Sequence, residues 1–156
     1  MCFASTSKGF TAIAIQSFTT AHQLGVLGEL RREMGSRLPP ALLAQAERGL
    51  VGMPPKAYRW VREMEEIALT FEEEGGFCFP PSSSSSSPVN NHDDNNNSNA
   101  SGGGPSMFRG AAAVYKAVAE DTVLGDEKTG SRKRGRDVED VARAMAEGLN
   151  EKKMST

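Results

Sequence analysis

The sequence is poor in the residues from which reactive centres are made. Its 156 residues include two cysteines, two histidines and one tryptophan. Zinc needs three or four Cys, His or carboxylate ligands at close spacing, and Cys2, His22, Cys78 and His92 lie too far apart to supply them. No metal site is therefore expected. There is no GxSxG element, and no Cys–His pairing is favoured by spacing. Neither a GxGxxG following a strand nor a phosphate-binding P-loop is present, which removes the two common nucleotide sites. Long apolar runs are also missing: a spanning helix needs about 18 or more apolar residues in succession, and Lys8, Gln16 and Ser17 break up the first stretch. That stretch lacks the basic start of a signal peptide, and no arginine precedes Arg31, as a transit peptide would require. Two isolated thiols read as reduced cysteines of a cytoplasmic protein. The net charge of −2 gives no reason to expect nucleic acid or a membrane as partner.

What the chain does contain is helical pattern. Apolar residues make up 38%, and adding the 16 glycines brings the sum close to the ~45–50% of ordinary globular proteins. One core is the expectation at this length. From Met1 to Leu24 the chain is mostly Ala, Ser, Thr and Gly with a few large apolar residues, and Lys8 is the only formal charge before Glu29. A helix without a charged face suits the centre of a bundle, and Gly25 is its expected stop. Second and third helices are expected over Val26 to Met34, ended by Gly35, and from Pro39-Pro40 through Leu50. The fourth is the clearest: Pro54-Pro55 open it, Gly75-Gly76 close it, and Ala57, Val61, Met64, Ala68 and Phe71 recur at helical intervals. The acids Glu72–Glu74 oppose its dipole, so its last turn is expected to fray. A fifth helix begins at Met107, with Gly125 as its stop, and a sixth follows Asp137 as N-cap. The segment 77–106, with Ser82–Ser87 and an Asn/Asp tract, is too polar to bury a core face and reads as a disordered insertion. The expected fold is all-α: a bundle around a long central N-terminal helix, forming a single domain over 1–156.

Four features carry possible chemistry. Lys8 in an otherwise uncharged helix must find a partner, shift its pKa downward or face a cleft; the bland reading is a solvated helix end. Arg59 and Trp60 combine residue types enriched at interface hot spots, against simple packing of Trp60 under a neighbour. Glu63, Glu65 and Glu66 read as a solvated acidic face more readily than as paired acid/base groups. The basic run Arg132-Lys133-Arg134-Gly135-Arg136, flanked by acids, reads as a solvated loop before it reads as a nucleic-acid patch.

Three segments, MCFASTSKGFTAIAIQSF, MPPKAYRWVREMEEIALTF and MFRGAAAVYKAVAEDT, resemble the C-terminal helical domain of NAD-binding phosphogluconate dehydrogenase-like proteins, relatives of the 6-phosphogluconate and 3-hydroxyisobutyrate dehydrogenases. The resemblance implies a substrate-binding and dimerisation domain for a 3-hydroxy acid dehydrogenase, with NAD or NADP held by a separate Rossmann domain that this chain lacks. By itself the chain is then expected to bind no cofactor and to be inactive. Partners implied are a small hydroxy acid and a second copy in a homodimer. The family's catalytic lysine would immediately precede Met1, and Ala4 stands where its partner Asn is expected, so no catalytic residue carries over. Lys8-Gly9 matches a Ser-Lys-Gly element of the subgroup, which makes Lys8, Gly9 and Ser5 the substrate-binding candidates, with Trp60 and Arg59 as interface candidates. The alternative is a non-enzymatic helical interaction module.

Overall fold

A computed structural model describes residues 1–77 and 106–155. Among these residues the fold is all-α: α1 Cys2–Gln23, α2 Leu27–Arg37, α3 Pro40–Gly52, α4 Ala57–Glu73, α5 Met107–Glu120 and α6 Val138–Met154, with short 3-10 turns at Pro54–Lys56 and Val123–Asp126. The expected insertion lies outside the described residues except at its two ends, and both ends are built into the bundle. The Phe77 backbone N–H donates to the Phe71 carbonyl at 3.0 Å. Buried Ser106 caps α5 by accepting from the Arg109 N–H. The boundaries 77 and 106 are thus corrected inward.

The longest helix, α1, is central. It packs on α6, α3 and α5, while α4 and α5 form the most extensive pair. Phe18, Ile15, Tyr115, Leu50, Met64 and Val141 lie fully buried in one cluster. Each such side chain contributes about 1.5–3 kcal/mol relative to exposure.

Several helix ends differ from expectation. Gly25 does follow α1, at φ +72°, and Asp137 does cap α6, its carboxylate accepting from the Asp140 N–H at 2.8 Å. Gly35, however, sits inside α2, which runs on to Arg37. The stop comes from Pro39: the residue before a proline is pushed to extended backbone, and Leu38 has φ −105°, ψ 153°. Gly125 likewise is not the end of α5, which closes at Asp121, four residues earlier. The acidic end of α4 remains helical to Glu73. Glu72 accepts two hydrogen bonds from Arg109 of α5, at 2.8 and 2.6 Å, which offsets the unfavourable dipole.

The basic run 132–136 is a built corner. Arg132 donates to the Val51 carbonyl at 2.6 Å. Arg134 pairs with Asp140 and Glu147, and the Lys133 and Arg134 N–H groups bond the Glu127 carboxylate. Gly135 turns at φ +69° with Leu124 and Arg132 packed where a Cβ would stand. The Arg136 side chain donates to the Arg132 carbonyl at 2.8 Å. The solvated loop expected there is corrected: Arg132, Arg134 and Arg136, three of the four cations, are spent on the chain itself.

Candidate functional site

Lys8 leaves α1 on the side that faces α4. Its ammonium forms an ion pair with the Glu63 carboxylate and lies 5.4 Å from the centre of the Trp60 ring, within cation–π range. Trp60 and Glu63 are one turn apart on α4, the spacing that places two side chains on one face. The Lys8 side chain is 17% exposed and that of Glu63 39%. Burial, and then the positive charge of Arg59, push the Lys8 pKa below its ordinary value. The reading of Lys8 as a solvated helix end is therefore set aside, and Glu63 is not simply part of a solvated face.

The support beneath this group is aromatic. Tyr115 of α5 meets Trp60 edge to face, at 5.2 Å between ring centres and 83° between planes, a favoured arrangement. The Tyr115 hydroxyl donates to the Lys8 carbonyl at 2.6 Å and also bonds the Thr11 side chain. Burial raises its pKa far above the ordinary value, so the phenol stays neutral. Trp60 is half-buried here, whereas Arg59 is exposed.

The other two candidates are placed nearby with their polar groups engaged or absent. Ser5 is buried and its hydroxyl donates to the Cys2 carbonyl at 2.6 Å. Gly9 is buried, and a Cβ built on it would lie 3.8 Å from Phe108, an ordinary contact. No backbone of another element lies within 4 Å of that added Cβ.

The structure thus joins Lys8 with Arg59, Trp60 and Glu63, which the sequence presented as three unrelated features. It adds Tyr115, whose only sequence signal was a place on the inner stripe of α5. Chemically, the cluster offers a partly buried ammonium paired with one more exposed carboxylate, and the positive charge of Arg59 acts on that ammonium. Among the described residues, no group of three or more His, Cys, Asp or Glu side chains is placed to hold a metal ion. No helix there is long and apolar enough to cross a membrane.

Other grooves lie away from Lys8. One of about 820 Å³ runs between α3 and the start of α6, bordered by Arg48, Arg132 and Glu139. Two others flank α1: about 560 Å³ against α2 and about 450 Å³ against α5 and α6. Lys8 lines none of these three.

Residues 21–118, well over half the chain, match the family model described as Domain of unknown function (DUF1932). No curated protein and no solved structure matches the chain. Arg59, Trp60, Glu63 and Tyr115 fall within the matched residues, and Lys8 lies ahead of them.

Proposed function

The chain belongs to that family, and on this premise we propose that it is the substrate-side helical domain of an NAD(P)-dependent 3-hydroxy acid dehydrogenase-like protein. The observation that carries the reading is the Lys8 cluster, a lysine held by a carboxylate and an indole between α1 and α4. Lys8 would bind the substrate carboxylate by taking it in place of Glu63, with Arg59 adding a second positive charge. Ser5 and Gly9, within a turn of Lys8, shape the wall beside it. The described residues include no strand and no Gly-rich phosphate-binding turn, so they do not fit a dinucleotide. The nicotinamide is accordingly given no place on them. Hydride transfer is not expected from this chain alone.

Trp60 is the only tryptophan and reports directly on Lys8. The test is its fluorescence during titration with 3-hydroxyisobutyrate or 6-phosphogluconate. A saturable change that disappears in Lys8→Met, with the helical circular dichroism retained, supports the reading. No change at millimolar ligand contradicts it.

A second reading, a non-enzymatic interaction module, is favoured by one observation: the outward face of α1 is uncharged along its whole length.

A further inference from the structure

The groove of about 450 Å³ where α1, α5 and α6 meet begins two turns along α1 from Lys8. Helix α5 leaves it open because Gly110, Ala113 and Ala117, at helical spacing, put only small groups on its wall. Ile15, Val114, Met145 and Leu149 make the rest of the wall apolar. None of the described residues lining it is charged. The grooves against α3 and α2, by contrast, are bordered by carboxylates, among them Glu139 on one and Glu29 on the other.

Thr19 also lines this groove, and it is the one polar group there that is buried, at 4% exposure. Its hydroxyl has no hydrogen-bond partner among the described residues. Other helical threonines of this chain are satisfied locally: Thr6, Thr11, Thr70 and Thr122 each donate to the carbonyl four residues earlier, at 2.8–3.2 Å. A buried hydroxyl left unpaired is costly and calls for a physical explanation. We propose that the groove binds a small uncharged molecule, largely apolar, with one carbonyl or hydroxyl oxygen that accepts a hydrogen bond from Thr19. Threonine has two χ1 positions open to it in a helix, and a ligand oxygen would select the one that reaches it.

Three features select this class of ligand. A charged molecule would lose water against these walls and find no opposite charge to replace it. The volume falls in the ~300–1,000 Å³ range of small-molecule sites. Apolar walls with a single placed hydroxyl are also the make-up of such sites, where the polar group fixes orientation. The inference does not rest on the dehydrogenase reading, since Lys8 does not line this groove and a hydroxy acid, as an anion, is the wrong class for it.

Fluorescence titration of the full chain with Nile red, an uncharged dye with one ring carbonyl, tests it. Saturable binding of one dye per chain is expected, with the anion anilinonaphthalene sulfonate at least about 10-fold weaker. Thr19→Val keeps the shape of the side chain and removes the hydroxyl, and should weaken Nile red about five-fold; Thr19→Ser should restore it. Gly110→Leu adds a side chain whose Cβ meets nothing within 4 Å, so the fold tolerates it while the groove is filled. It should weaken the dye at least about 10-fold. Ile13→Glu, on the exposed apolar strip outside the groove, should leave the affinity unchanged. The proposal is overturned by any of four results. These are no saturable binding, equal binding of the anion, affinity indifferent to both Thr19→Val and Gly110→Leu, or affinity that falls as chain concentration rises, which would put a second copy over the groove.

Discussion

The inner and outer faces of α1 belong to one helix and to opposite chemistries. On the inner face the polar groups at Lys8 and Ser5 have partners within the chain: Glu63 for the ammonium and the Cys2 carbonyl for the hydroxyl. On the outer face, Phe3, Ile13 and Leu24 are exposed without neighbours to cover them. The contrast teaches how a helix can be buried in composition and yet surface-exposed in place. Low charge in a sequence marks a helix whose surroundings are to be apolar, and it does not say whether those surroundings come from the same chain.

The contrast breaks if changes on the inner face are cheap or changes on the outer face are costly to folding. The largest effect is expected from Tyr115→Ala. It removes a fully buried ring, the edge contact with Trp60 and the bond to Lys8, and should cost about 3–5 kcal/mol in urea unfolding. Glu63→Ala comes next at about 1 kcal/mol, because the pair is partly exposed.

Lys8 also has a pH signature. Its pKa in the fold is lowered by burial and then by Arg59, so between that lowered value and the ordinary 10.5 the unfolded chain binds more protons. Stability should therefore rise with pH through this window and level off above it, and the rise should be absent in Lys8→Met.

Gly9→Ala is expected to stabilise by up to about 1 kcal/mol, since a helix interior favours alanine and the added methyl meets only Phe108 at ordinary contact. Smallest is Ile13→Ser on the outer face, expected within about ±0.5 kcal/mol. A loss comparable with that of Tyr115→Ala would erase the distinction between the faces.

Much of this architecture was legible in the sequence because it is local. The interval pattern from Ala57 to Phe71 specified α4, and Asp137 specified the start of α6 through its own side chain. Helix ends set by glycine alone were less legible. Gly35 was passed over because an adjacent proline constrains Leu38 more strongly than a glycine weakens a helix. The corner built by Arg132 and Arg134 was read as solvated because its acceptors, Val51 and Glu147, lie outside the local window. The site was half legible. Lys8 stood out as a lone charge, and Trp60 as the single indole. Their meeting with Glu63, 55 residues from Lys8 in sequence, follows from the packing of α1 on α4. No spacing rule reaches that far.

The central claim is that the two faces of α1 do separate work, and the Trp60 fluorescence titration with a 3-hydroxy acid, carried out on Ile13→Glu, tests it most directly. The expected result is a response of the same size and midpoint as the wild type. A response lost or weakened in Ile13→Glu would contradict it.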